Sequence, residues 1–169
     1  LWRLYPTYLL ITLAALLAVT LHATQSFKDY HTQQVKLDLA SRAYLVREQV
    51  AASVAAEDFG ELQQFCRRLG RSSGTRITVI LASGNVVGDS EEDPATMDDH
   101  SQRPEIMKAL RGEIGEAIRF SQTLTQDMAY VAVPITGDDM EGEPIIAAVR
   151  TALPLTSVKQ ELARIYRRI

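Results

Sequence analysis

The chain has 169 residues, 46% of them hydrophobic and 23% charged, and a formal net charge of −3. That balance gives no electrostatic footprint for nucleic acid. The single cysteine, Cys66, excludes an internal disulfide and any cysteine-rich metal site.

An uncharged stretch runs from Leu4 to Phe27, and its centre reads YLLITLAALLAVTL from Tyr8 to Leu21. A helix rises 1.5 Å per residue, so ~20 apolar residues cross the ~30 Å hydrocarbon layer of a bilayer. The stretch is longer than the ~7 to 15 residues of a signal-peptide core. Its far boundary, Leu21-His22-Ala23-Thr24-Gln25, has no Ala-x-Ala triplet, and Trp2, Tyr5 and Tyr8 supply interfacial aromatics. Residues 1–27 therefore read as an uncleaved transmembrane helix. Charge does not orient it, because Arg3 stands on one side while Lys28 and Lys36 on the other are offset by Asp29 and Asp38.

The polar remainder, about 28–169, is long enough for one domain with its own core. From Ser26 to Ala56 there is no Pro or Gly, and Val35, Leu39, Ala43, Val46, Val50 and Val54 form one helical stripe. The stripe predicts a stalk helix over about 28–56 that packs against the domain's own sheet and also against a second protomer. Leu62, Phe65 and Leu69 define a short second helix ending at Gly70. Cys66 lies within it as a partly buried small apolar residue.

The periodicity then switches to strands. Arg76 to Leu81 is dense in β-branched residues, Ala82-Ser83-Gly84-Asn85 carries turn chemistry, and Val86 to Ser90 returns as a hairpin. Pro104 to Leu110 is a short helix stopped by Gly112. Strands follow over Glu116–Ser121, Met128–Ile135 and Pro144–Ala152, and a terminal helix over about 154–169. Sequential antiparallel strands with helices on one face make an α+β domain.

Few residues here point to chemistry. Asp89 and Ser90 are suited to bonding backbone N–H groups at a strand end. The acids from Asp89 to Asp99 lack a calcium-loop pattern and are broken by Pro94, so they read as a solvated loop. The same holds for Asp138, Asp139, Glu141 and Glu143. His100 and Ser101 are adjacent and cannot easily aim at one another, and no Gly-x-Ser-x-Gly, His-Glu-x-x-His, Walker or Rossmann string occurs. No catalytic residue, cofactor or metal is assigned. Arg103, beside the first turn of the Pro104 helix, suits a carboxylate or phosphate. Arg119 lies on the polar face of an alternating strand, and if that face looks into a pocket, Arg119 and Tyr130 become recognition groups.

One string is more specific than any single residue. The hairpin return Gly84, Val86, Asp89, Ser90, then His100 with Arg103-Pro104-Glu105-Ile106, Ala109-Leu110, Gly112, Arg119 and Tyr130 to Ile135 occur in a definite order and spacing. Together they resemble the extracytoplasmic PAS-like (Cache, or PDC) sensor domain of membrane sensor histidine kinases of the phosphate-regulon type. The resemblance implies a PAS-like antiparallel sheet outside the bacterial inner (cytoplasmic) membrane, a homodimer through the stalk helix, and a small anionic ligand or an envelope protein as partner. It implies His100, Arg103, Arg119 and Tyr130 as ligand-binding residues. The family continues into a second span and a kinase core that this sequence does not contain, so the expectation is the sensor half of such a protein. The alternatives are a membrane-anchored envelope binding module and a chemoreceptor sensor domain.

Overall fold

A computed structural model describes residues 4–121, 126–137 and 144–155. The first element is a long helix, α1 (Leu4–Ala55), and the chain divides into two units, Leu1–Gln34 and Val35–Ile169.

In the first unit α1 exposes its apolar side chains, among them Leu10, Leu13, Leu17 and Leu21. It is one helix long and apolar enough to cross a membrane. Its threonines do not break the apolar surface. The hydroxyls of Thr12, Thr20 and Thr24 donate to the carbonyls of Tyr8, Leu16 and Thr20, so each polar group is satisfied within the helix.

The second unit is α+β. After α1 come α2 (Phe59–Ser73), β1 (Arg76–Leu81), β2 (Val86–Asp89), a 3-10 turn (Pro94–Thr96), α3 (Pro104–Ala109), β3 (Gly115–Ser121), β4 (Gln126–Thr136) and β5 (Ile145–Pro154). The strands form one sheet in the order β2-β1-β5-β4-β3, antiparallel throughout.

Strand alternation assigns the two faces. Ile77, Val79, Val133, Ile135, Ala147 and Val149 point to one side, where they pack with Leu62 and Cys66 of α2 and with Ala43, Val46, Val50 and Val54 of α1. Leu39 joins the same side against Ala129 and Val131. Burying an aliphatic side chain of this size stabilises by roughly 1.5–3 kcal/mol. Burial among these residues also raises the Cys66 thiol to a pKa of about 12, which leaves it inert.

This packing bears on the expectation that the α1 stripe serves a second protomer as well. Leu39, Ala43 and Val50 are fully covered by the domain's own residues, which leaves a second protomer the exposed side chains of the helix. Three boundaries also differ from the sequence reading. Gly70 does not end α2; it sits where a Cβ would run into the Ser90 side chain, and the helix stops three residues later with Gly74 at φ 62. Asp58 starts α2 by accepting from the Glu61 N–H at 3.0 Å. Finally, β5 continues through Leu153 to Pro154 instead of giving way to a helix at Pro154, and Leu155 N–H still donates to Asp127 O at 2.8 Å. The proline fits there because β1 ends opposite Ala152, leaving only β4 beside it. Most of the expected terminal helix, 156–169, lies outside the described residues, as do Asp138, Asp139, Glu141 and Glu143.

Candidate functional site

The opposite face of the sheet has an apolar part, where Ile80, Ala132 and Ala148 pack with Ile106 and Ala109 of α3, and a polar part. Alternation brings Arg76 and Thr78 of β1, Arg150 of β5, Tyr130 of β4, and Arg119 and Ser121 of β3 to that side. Arg76, Arg119, Ser121, Tyr130 and Arg150, with residues of the segment from Glu92 to Arg103, line a cavity of about 600 Å³.

Local turns position the covering segment. Asp89, wholly buried at the end of β2, accepts from the N–H groups of Glu91 and Glu92 at 2.9 and 3.0 Å and from Thr78 Oγ1 at 2.7 Å. Its carboxylate also takes both 3.2 Å contacts of Arg76 Nε, and Glu91 lies 3.6 Å from the same guanidinium. Asp89 thus has the backbone-bonding role expected from sequence and anchors a cavity arginine as well. Asp99 accepts from the N–H and hydroxyl of Ser101, bonds that hold its carboxyl below the usual carboxylate range. His100 N–H donates to Gly84 O at 3.0 Å, which ties the segment to the hairpin turn, and Arg103 N–H donates to His100 O at 3.0 Å.

The cavity floor holds a buried charge network. Arg150 is 3% exposed, its Nη2 donates to Thr78 Oγ1 at 3.0 Å, and its Nη1 reaches Glu105 Oε1 at 3.5 Å. Arg119 Nη2 reaches the same oxygen at 3.3 Å. Both guanidinium groups lie against the Tyr130 ring, 4.0 Å (Arg119) and 5.3 Å (Arg150) from its centroid, within cation–π range. Burial lowers the Arg150 pKa to about 10, against the pull of Glu105, so the group stays charged at neutral pH. Glu105 enters from the first turn of α3, which approaches β3 closely because position 115 is glycine; a Cβ there would run into the Glu105 carbonyl.

All four residues singled out from sequence, His100, Arg103, Arg119 and Tyr130, line this one cavity. Sequence reasoning missed Arg76, Arg150 and Glu105. A signal existed for Arg150, since a charge inside the apolar run Ile145 to Leu153 must be paired if that strand is buried.

Two carboxylates, Glu92 and Asp98, stand in the lining beside the four arginines. Arg76 is matched by Asp89 and Glu91, Arg119 and Arg150 share one oxygen of Glu105, and Arg103 makes no ion pair among the described residues. Glu105 Oε2, Arg119 Nε and Arg150 Nε are buried without a hydrogen-bond partner among the described residues. Buried polar atoms of this kind call for an ordered water, an ion, a ligand or local strain.

His100 responds to this field. It is buried, and that burial, followed by Arg150 and then Arg103 and Arg119, lowers its pKa below the ordinary 6.5, opposed by the Asp98 carbonyl that accepts from Nδ1 at 2.7 Å. A neutral folded histidine binds fewer protons than the unfolded one, so it removes stability as pH falls below about 6.5. An anion in the cavity offsets the arginine field and favours the imidazolium. Anion affinity is therefore expected to rise several-fold, with a ceiling of about tenfold per pH unit for one proton, as pH falls from 7 to 5.5. Titration of the His100→Asn variant over the same range checks this, and an unchanged slope would show that the proton goes elsewhere.

No family model and no curated protein matches the chain. Solved structures do. The sensor domain of the Vibrio cholerae histidine kinase DctB aligns with a TM-score of 0.57 at 14% identity, over 80% of this chain and 59% of that one. The ligand-binding domain of the Campylobacter jejuni chemoreceptor Tlp3, in complex with 4-methylisoleucine, gives 0.51 at 15% identity, over 74% and 55%. That of the Pseudomonas fluorescens chemoreceptor CtaA, in complex with L-isoleucine, gives 0.51 at 15% identity, over 79% and 54%. This chain thus spans less than two thirds of the length of each. The likeness shows an α+β PAS/Cache-like fold of the kind used in sensor domains.

Proposed function

We propose that the chain is the extracytoplasmic sensing part of a membrane sensor histidine kinase, anchored in the bacterial inner membrane, and that its arginine-lined cavity receives a small anionic ligand. The observation that carries this reading is the cavity itself: four arginines and His100 around Tyr130, with Glu92 and Asp98 also in the lining and the buried carboxylates of Asp89 and Glu105 paired to three of the arginines. A fold shared with sensor domains of a histidine kinase and two chemoreceptors supports it. Kinase output of the phosphate-regulon type rests on the motif order from Gly84 to Ile135.

Adjacent residues of β5 supply a route out of the cavity. Arg150 faces it, whereas Thr151 faces α1 and its hydroxyl donates to Leu39 O at 2.9 Å. A ligand that repositions Arg150 moves the strand that grips the stalk helix. It biases the two states only by its difference in affinity between them. A homodimer through the stalk would use the exposed side chains of Leu37, Tyr44 and Leu45 in place of the covered stripe.

The test is a thermal-shift screen of the full chain in detergent micelles against small carboxylates and inorganic phosphate. At least one anion is expected to raise Tm. Arg103→Ala and Arg119→Ala should each weaken that anion about tenfold or more, the range of a hydrogen bond to a charged group. Hits that ignore both substitutions would place binding outside the cavity.

A further inference from the structure

The Glu105 carboxylate is wholly buried, yet it is poorly used. One oxygen takes both arginines at 3.3 and 3.5 Å, and the other has no partner among the described residues. Charge-assisted N–H···O bonds ordinarily close to ~2.7–2.9 Å. A buried anion gains most when both oxygens are satisfied, so a network built only for stability would be expected to bond both. The two arginines also differ. Arg150 is 3% exposed and is held by Thr78, whereas the Arg119 side chain is 28% exposed at the cavity wall.

We propose that Glu105 is a built-in competitor of the ligand, occupying Arg119 and Arg150 in the unliganded state, and that an incoming anion binds by taking Arg119 away from it. The inference rests on the anion-binding reading of the cavity and adds which protein group sets the affinity. The charge balance favours the exchange. Before it, two cations share one anion; after it, Arg150 pairs with Glu105 and Arg119 with one anionic group of the ligand. Arg119 moves because its side chain is the exposed one, and Glu105 stays because it has no route to water. Selectivity follows from the same competition, since a ligand must displace a carboxylate already in place. Weak or diffuse anions such as chloride then fail.

The experiment compares acetate binding to the wild-type chain and to Glu105→Gln, in micelles at constant ionic strength. The substituted side chain keeps the shape and an acceptor for Arg150 but removes the competing charge. Acetate affinity is expected to increase by at least about tenfold, the equivalent of ~1.4 kcal/mol. An unchanged or weaker affinity in a cooperatively folded variant overturns the proposal, because it assigns Glu105 a purely structural role. If Glu105→Gln does not fold, Glu105→Ala is measured with added acetate. Recovery of folding by acetate, but not by chloride at equal ionic strength, supports the exchange, and no recovery overturns it. Acetate binding to neither chain also overturns it. The sensing reading is then decided separately by the wider anion screen and by the Arg103 and Arg119 variants.

Discussion

Arg150→Met should destabilise the domain by about 3–5 kcal/mol, the typical penalty for breaking a buried ion pair from one side. Arg150 is 3% exposed and central in β5, so the loss is not softened by water. The substitution withdraws a guanidinium from Glu105 Oε1 and a donor from Thr78 Oγ1, leaving Glu105 with Arg119 alone. Methionine fills comparable space, which isolates the charge from the cavity left behind. Chemical denaturation of the full chain in micelles, followed by circular dichroism, gives the value. The double variant with Glu105→Leu should recover part of the loss, because removing both partners leaves no orphaned charge in the interior. A single-variant effect under about 1 kcal/mol would mean that Arg150 is solvated and the network is not a buried one.

Leu39→Ala carries a comparable expected loss, about 2–5 kcal/mol for a fully buried leucine. Leu39 is 0% exposed against Ala129 and Val131, and its carbonyl accepts the Thr151 hydroxyl. Gln49, exposed on the same helix, provides the control, and Gln49→Ala should stay within about 0.5 kcal/mol. The contrast tests which face of α1 the sheet covers. Equal effects would mean that the helix is rotated or detached from the sheet.

The elements themselves were legible because their periods differ. The stripe from Val35 to Val54 repeats at helical spacing, while Ile77 and Val79, or Val131 and Val133, alternate to one side of a strand. Arg103 and Arg119 came from local features that survive folding, a helix start and a polar strand face, whereas His100 came with the family resemblance. What sequence could not supply was the pairing of β1 with β5, which sets Arg76 opposite Ala152 and Thr78 opposite Arg150. That long-range register builds the charged floor, and no local pattern encodes it. The strand ending was misread for a similar reason. Pro154 looks like a helix start until the end of β1 is seen to leave that position open on one side. The stripe's helical spacing suits a sheet and a partner helix equally, and the domain's own sheet covers Leu39, Ala43 and Val50.

The outermost position of β3 has a consequence of its own. Among the described residues this strand borders only β4, and Ile118 and Phe120 stand 48% and 56% exposed along it. An unpaired border flanked by apolar side chains is a template onto which another chain can add a strand. Glu116, fastened to Lys36 at 2.9 Å, is a charged guard on that flank. Because Arg119 belongs to the same seven-residue strand, any accretion along this border would be transmitted at once to the arginine-lined cavity.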